Sequence, residues 1–147
     1  MNISTEWIKR LDRIYQGEPW FGESFQAKLK NVSEAQAFQR PAANAHSIAE
    51  IVAHMTFRRK AIIAQLVGDG QEEFTSTHPD NWPALETLKS KGWKHVLQSF
   101  AVTQEALASA LMNQSSLTPD LAEALNGTME HDIYHLGQIG FVKKLLA

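Results

Sequence analysis

The sequence predicts an all-α fold, specifically a four-helix bundle, and three observations support this prediction. Apolar residues recur at intervals of three and four along most of the chain, as they do on one face of a helix. Polar or turn-forming segments divide these stretches into four principal helices. No segment alternates apolar and polar residues for long enough to predict a strand. Because 147 residues suffice to bury one core, we expect a single domain over residues 1–147.

The first helical region contains two apolar sets separated by the interruption Gly17-Glu18-Pro19. Both sets recur at helical spacing, and they comprise Ile3, Trp7, Leu11 and Ile14, then Trp20, Phe21, Phe25 and Leu29. Since glycine and proline interrupt helices, the region is predicted to be either one kinked helix or two helices in sequence.

The second principal helix has a clear predicted start and end. Ser47 is followed three residues later by Glu50, which is the pattern of a capping box at a helix N-terminus. An apolar face then continues until the helix stops near Gly68. Residues 68–81 are rich in Gly, Thr, Asp, Glu and Pro, so they are predicted to form a solvated connection.

The remaining apolar periodicity predicts a third helix and a final helix. The third begins at about Pro83 and continues to Leu111, with Gly92 as a residue that can bend it. Thr118-Pro119 can start another short helical segment, and the final helix then continues to the end of the apolar pattern at Leu145.

Composition excludes several classes of function. The formal net charge is −2 and the basic residues are scattered, so we expect no nucleic-acid partner. The chain has no cysteine, which excludes disulfides, thiolate metal ligands and a cysteine nucleophile. The first residues lack the continuous apolar region of a secretory signal, and no apolar run approaches the ~20 residues that span a bilayer. We therefore expect a cytoplasmic protein without a membrane partner.

Three histidines are candidate metal ligands. His131 and His135 are four residues apart, so on a helix they project from the same face about one turn from each other. His54 lies on the otherwise apolar face of the second helix, where a polar ring needs a partner. Each feature has a structural alternative, because HxxxH pairs are common and a single core histidine is often only hydrogen-bonded.

Two segments together resemble a known protein family. They are IVAHM in the second helix and GTMEHDIYHLGQI near the C-terminus. The part HDIYHLGQI is similar, residue for residue, to the closing H-x-x-x-H-x-G-Q-I segment of the DinB-like family, also called the DinB/YfiT-like metalloenzymes. The resemblance in length and helix order extends over nearly the whole chain.

The resemblance implies a DinB/YfiT-like four-helix bundle with a three-histidine centre. One ligand comes from the second helix, and it is His54 in this sequence. Two come from the last helix, and they are His131 and His135. We expect one divalent metal ion; imidazole suits several metals, and zinc or nickel is the ion we favour. Family members include metal-dependent hydrolase-like proteins and thiol-cofactor transferases, and many have no known reaction.

Other polar residues have two interpretations each. Glu50 is a candidate catalytic proton acceptor, although its capping-box position already explains it. Gln138 is a candidate for positioning a metal-bound group or for a structural hydrogen bond. Arg58 is a candidate contact for an anionic substrate or part of a solvated face with Arg59 and Lys60, and we favour the second interpretation. Asp132 is interpreted as pairing with another helix. We expect three further histidines to be non-ligands, namely His46, His78 and His95.

Two functions remain open from the sequence. The first is an enzyme for a small-molecule substrate, either a metal-dependent hydrolase or a transferase that uses an external low-molecular-weight thiol. The second is a non-catalytic metal-binding or interaction protein whose ion ties two helices together. In both cases we expect a homodimer, because Trp7, Trp20 and Phe21 exceed what one small core easily encloses.

Overall fold

The structure is a computed structural model that describes residues 3–69 and 73–147. Within these ranges the protein is all-helical and has no strand, which confirms the predicted fold class. The α-helices are α1 (Ile3–Tyr15), α2 (Phe25–Leu29), α3 (Glu34–Phe38), α4 (Ile48–Val67), α5 (Leu85–Lys91), α6 (Trp93–Met112) and α7 (Pro119–Leu146). A short 3-10 helix, Pro79–Asn81, precedes α5.

The helix count differs from the expected four because three short helices accompany the long ones. At the N-terminus the chain forms two separate helices, α1 and α2, rather than one kinked helix. The short helix α3, which we did not predict, is stabilised by a capping box between Ser33 and Gln36. Among the described residues, no helix is long and apolar enough to cross a bilayer.

Helix α4 begins and ends at the predicted residues. The Ser47 hydroxyl accepts a hydrogen bond from the Glu50 backbone N–H at 3.2 Å, and the Glu50 carboxylate accepts one from the Ser47 backbone N–H at 3.0 Å. Gly68 then ends the helix in the left-handed conformation, with φ of 75°. Glycine adopts this conformation without the steric cost that a side chain brings.

The C-terminal half differs from the prediction at two junctions. Gly92 does more than bend a helix, because its φ of 94° and ψ of 156° separate α5 from α6. At the second junction, Thr118 caps α7 by accepting a hydrogen bond from the Leu121 backbone N–H at 3.2 Å. From Pro119 the helix continues without interruption, so the expected short segment and the final helix are one element.

The core forms where α4 packs against α6 and α7. Its largest fully buried apolar side chains come from four helices, α2, α4, α6 and α7, and they are Phe25, Ile48, Val52, Met55, Phe100, Leu107, Leu111, Leu125, Leu136 and Ile139. Burying one such side chain contributes about 1.5–3 kcal/mol relative to leaving it in water. The packing therefore holds α7 beside α4, which is the pair of helices that carries the three candidate ligands.

Arg59 corrects the interpretation of a solvated face on α4. Its side chain is fully buried, whereas Arg58 is half-buried and Lys60 is exposed. The Arg59 guanidinium donates hydrogen bonds to Asp132 on α7 and to Gln104 on α6. The expectation that Asp132 pairs with another helix is thereby confirmed.

The aromatic residues near the N-terminus have different environments. Trp7 belongs to the core and is only 8% exposed, contrary to our expectation that the core would not enclose it. Trp20 and Phe21 are 98% and 46% exposed, respectively. Two of the three aromatic residues therefore remain available at the surface.

Candidate metal centre

His54, His131 and His135 converge at one point between α4 and α7. The Nε2 atom of His131 lies 3.0 Å from Nε2 of His54 and 3.0 Å from Nε2 of His135. The three side chains can each offer one nitrogen within 4.8 Å of the others. Helix periodicity brings the two α7 histidines to one face, and the packing of α4 against α7 adds the third.

Hydrogen bonds at Nδ1 orient two of these rings. The Nδ1–H of His54 donates to the backbone carbonyl of Asn81 at 2.6 Å, and that of His135 donates to Oε1 of Gln138 at 2.6 Å. A carbonyl oxygen only accepts hydrogen bonds, so the proton of each neutral ring is at Nδ1. The Nε2 atom of each ring therefore carries a lone pair that points toward the cluster.

The protonation state also suits a metal ligand. Burial, with smaller contributions from nearby positive charge, lowers the pKa of His54 to about 4 and that of His131 to about 3. Burial also lowers the pKa of His135. Imidazole must be neutral to bind a metal, and these rings are neutral at pH 7. For His131, burial lowers the pKa most, the neighbouring imidazoles come next, and the positive charge of Arg58 lowers it further.

The spacing and donor type fit a divalent ion. Two imidazole nitrogens bound at about 2.0–2.1 Å with tetrahedral angles stand roughly 3.3 Å apart. The observed separations of 3.0 Å are close to this value. The lone pairs of His54 and His135 both face Nε2 of His131. Without a cation, that nitrogen carries at most one proton and can donate it to only one of the two lone pairs. Three neutral imidazoles can therefore hold one metal ion here.

Residues 81 and 82 form part of the centre, although Asn81 ends the segment that we expected to be a solvated connection and we expected no role for Trp82. Asn81 is buried, and Trp82 stacks on His54 with ring centroids 3.9 Å apart and planes inclined by 4°. Trp82 also stacks on His46 at 3.9 Å and 9°. The local composition around Asn81 and Trp82 does not predict these contacts, because the histidines that they contact are distant in the sequence.

Glu50 lies beside the centre but does not line its cleft. The Arg40 guanidinium donates two hydrogen bonds to the carboxylate, at 2.9 and 2.7 Å. The Ser47 backbone N–H and the His46 ring supply two more, at 3.0 and 3.2 Å. Burial favours a higher pKa for Glu50, but these hydrogen bonds outweigh it and lower the pKa to about 2. The carboxylate is thus an ionised, enclosed structural group.

Gln138 contacts the centre through a ligand ring. Its Oε1 accepts from His135, and its Nε2 donates to the Tyr134 hydroxyl at 3.1 Å. The structural hydrogen bond that we gave as one alternative is therefore present. Gln138 also lines the cleft, so a contact with a bound group remains compatible with its position.

The histidine cluster opens into a cleft of about 600 Å³. No Asp, Glu, Lys or Arg is among the described residues that line it. Apolar and aromatic side chains dominate its walls, which comprise Pro41, Asn44, Ala45, His46, Ile51, Trp82, Tyr134, Gln138, Phe141, Val142, Leu145 and the three candidate ligands. A concave, mostly apolar site with a few convergent polar groups is typical of small-molecule binding.

The other histidines do not join the cluster. His46 faces the same cleft, but it lies outside the group of nitrogens that can hold one ion. His78 accepts a hydrogen bond from the Asp80 backbone N–H at 3.0 Å, and His95 lies 3.5 Å from the Ser99 hydroxyl. Both line a different cleft, between α4, α5 and α6.

The comparison with protein families agrees with this arrangement. A family model described as the DinB superfamily matches residues 22–139, a range that includes α4, most of α7 and all three histidines. Neither the curated proteins nor the solved structures that were searched contain a match. The match covers most of the 147 residues, and with the three-histidine cluster on α4 and α7 it leads to one conclusion: the chain belongs to the DinB superfamily.

Proposed function

We propose that the protein binds one divalent metal ion, zinc or nickel, through His54, His131 and His135, and that it is a metal-dependent enzyme. The observation that carries the proposal is the convergence of three Nε2 atoms, two of which belong to rings held by hydrogen bonds at Nδ1. Such hydrogen bonds to ligand histidines fix the ring orientation and raise the basicity of the ligand.

The chemistry follows from the small number of protein ligands. Three protein ligands are the usual complement of a catalytic zinc site, because they leave a position for water or substrate. When bound, the metal supplies a nucleophile at neutral pH, either by acidifying water or by stabilising an external thiolate. The chain itself has no cysteine and no G-x-S-x-G motif. The candidate reactions are thus hydrolysis and transfer of a low-molecular-weight thiol.

The protein residues have separate roles in this proposal. Asn81 and Gln138 hold the rings of His54 and His135, so that the ligand atoms remain aligned. The apolar walls of the cleft bind the body of a small substrate and exclude water around it. Gln138 also lies where it can position a bound group.

A non-catalytic role is the second candidate, and one observation favours it. The ligands come from two helices, so an ion would link α4 to α7 and stabilise the fold. This role does not require the cleft that opens onto the histidines, whereas an enzyme does. The cleft is the reason that we favour an enzyme.

Reconstitution of activity tests the proposal. Tag-free protein is stripped with a chelator, loaded with zinc or nickel, and assayed against panels of esters and of thiol-dependent transfers. We expect activity to disappear on chelation, to return with metal, and to be lost in His131→Ala while helical content is retained. Activity that persists in verified metal-free protein would overturn the proposed mechanism.

A further inference from the structure

We propose that His46 is a catalytic residue that exchanges a proton with a substrate bound in the metal cleft, and that Glu50 is its positioning residue. This inference rests on the proposed function, since it assigns a proton-transfer group to the same site. It assigns His46 a role that differs from metal binding, and it changes the expected role of Glu50 from proton acceptor to support.

His46 and Glu50 form a histidine–carboxylate pair. The Nδ1 atom of His46 lies 3.2 Å from Oε2 of Glu50. The carboxylate is only 2% exposed and accepts further hydrogen bonds from Arg40 and Ser47, so it is ionised and fixed in place. An ionised carboxylate accepts hydrogen bonds and cannot donate them. His46 must therefore carry a proton at Nδ1.

The opposite nitrogen of His46 is free to react. In the neutral ring with a proton at Nδ1, Nε2 carries the lone pair. Within residues 3–69 and 73–147, this Nε2 has no hydrogen-bond partner. The side chain is 46% exposed and lines the cleft that contains the three candidate ligands. A carboxylate that orients one imidazole nitrogen while the other faces the substrate is a recurrent acid–base arrangement.

Trp82 keeps His46 near the metal ligands without making it a ligand. The indole stacks on His46 and on His54, with ring centroids 3.9 Å apart in each contact. The interplanar angles of 9° and 4° show that the three rings are nearly parallel. His46 is therefore held one aromatic ring away from a candidate ligand, on the wall of the same cleft.

Glu50 cannot perform the proton transfer itself. Both of its carboxylate oxygens accept hydrogen bonds from Arg40, and the backbone N–H of Ser47 and the ring of His46 occupy further positions. It does not line the cleft, whereas His46 does. A proton acceptor needs hydrogen-bond reach to the substrate, so the geometry selects His46.

In the hydrolysis of an ester, His46 takes up one proton and returns it. As the oxygen of a water bonds to the acyl carbon, Nε2 of His46 accepts one proton from that water. When the bond between the acyl carbon and the leaving oxygen breaks, that oxygen takes the electron pair and receives the proton from Nε2. The products are a carboxylic acid and an alcohol, and His46 returns to its neutral form.

Two esters with different leaving groups test this role in the zinc-loaded full-length protein. The variant His46→Gln is compared with wild type on phenyl acetate and on 4-nitrophenyl acetate, and His95→Gln is the matched control. General acid–base groups typically contribute 10²–10⁴-fold, so we expect phenyl acetate turnover to fall by about 100-fold or more. Turnover of 4-nitrophenyl acetate should also fall, because attack of water on either ester uses the same proton acceptor, but by a smaller factor, because its weakly basic leaving group departs without a proton. Zinc content should equal that of wild type.

Each kinetic outcome decides between the proposals. If wild-type protein turns over both esters and His46→Gln lowers neither rate, the role of His46 is overturned and the proposed function stands. If zinc-loaded wild type has no zinc-dependent turnover of either ester, the role of His46 in ester hydrolysis is overturned, and the proposed function is then decided by the thiol-transfer assays. Loss of zinc from His46→Gln would show that His46 acts as a ligand and would also overturn the inference.

A measurement without turnover examines the pair directly. Nitrogen-15 NMR of zinc-loaded wild type reports which imidazole nitrogen of His46 carries the proton in the neutral ring. We expect the proton at Nδ1, where Glu50 accepts its hydrogen bond, and unprotonated Nε2. A neutral His46 with its proton at Nε2 and none at Nδ1 would overturn the inference, whatever the activity of the protein.

Discussion

Arg59 and Asp132 form a buried ion pair that joins α4 to α7, with Nη2 of Arg59 2.8 Å from Oδ2 of Asp132. Their side chains are 0% and 1% exposed. Asp132 follows His131 directly, and Arg59 lies on the helix that carries His54. The pair therefore connects the same two helices that bring the candidate ligands together.

Removing one partner of this pair should be costly. Arg59→Met leaves the Asp132 carboxylate buried without its cation, and breaking such a pair typically destabilises a protein by about 3–5 kcal/mol. Lys60→Met, at an exposed position of the same helix, should change stability by less than about 0.5 kcal/mol. Urea unfolding measures both. Equal stabilities of the two variants would show that the pair does not support the packing of α4 against α7.

Gln138 should influence metal affinity through His135. Gln138→Leu removes the acceptor for the Nδ1–H of His135, and loss of such a partner typically weakens metal binding by about 10–100-fold. Thr128→Val is the control, because the Thr128 hydroxyl donates only to the Ala124 carbonyl of its own helix, at 2.9 Å. Zinc affinity is measured by competition with a chromophoric chelator. An unchanged affinity in Gln138→Leu would assign Gln138 no part in holding the ring.

The metal-free protein should lose stability as the pH is lowered below neutrality. Burial, opposed in part by the hydrogen bond to Asn81, lowers the pKa of His54 in the folded state from its ordinary value of 6.5 to about 4. Between these two values the unfolded chain binds a proton that the folded protein does not, so the free energy of unfolding rises with pH. The stabilisation is fully present above 6.5 and is lost as the pH falls toward about 4. His131 extends the lower limit to about 3.

Urea midpoints of the metal-free protein at about pH 7 and pH 5 measure this dependence. Glu50 does not obscure this pH dependence, because its pKa is lowered from 4.5 to about 2. Its contribution to the free energy of unfolding is lost only as the pH falls through that lower range. His54→Gln, which cannot take up the proton, should show a smaller decrease. A wild-type midpoint that is independent of pH over this interval would contradict the depressed histidine pKa values.

Features that depend on nearby residues could be predicted from the sequence. The capping box of Ser47 and Glu50 acts over three residues, and Gly68 ends its helix locally, so both ends of α4 were predictable. The HxxxH spacing placed His131 and His135 on one face for the same reason. The third ligand, His54, was assigned through the family resemblance together with its position on an apolar face.

Features that depend on distant residues could not be predicted in this way. Asn81 meets His54 across 27 positions of the chain, and Arg59 meets Asp132 across 73. Local composition described Asn81 and Arg59 as solvated, because their polar groups are satisfied only by tertiary contacts. The pair of His46 and Glu50 is a partial exception, since its four-residue spacing is visible in the sequence. We did not infer the pair from this spacing, because the capping box already explained Glu50.

Self-association remains a prediction that the exposed aromatic residues support. Trp20 is 98% exposed and Phe21 is 46% exposed, although both are large apolar side chains. We expect a homodimer at tens of micromolar, and we expect the double variant Trp20→Ser, Phe21→Ser to shift it to a monomer. Light scattering gives the mass of each. A monomeric wild-type protein at that concentration would contradict the dimer.

Zinc titration of the metal-free, tag-free protein by calorimetry tests the central claim most directly. The convergence of His54, His131 and His135 predicts one zinc ion per chain in the wild type. His54→Ala removes one of three protein ligands, so its affinity should fall by about 100-fold or more, whereas His95→Ala should bind as the wild type does. Wild-type protein that binds no zinc at micromolar concentrations, or His54→Ala that binds with unchanged affinity, would contradict the three-histidine centre.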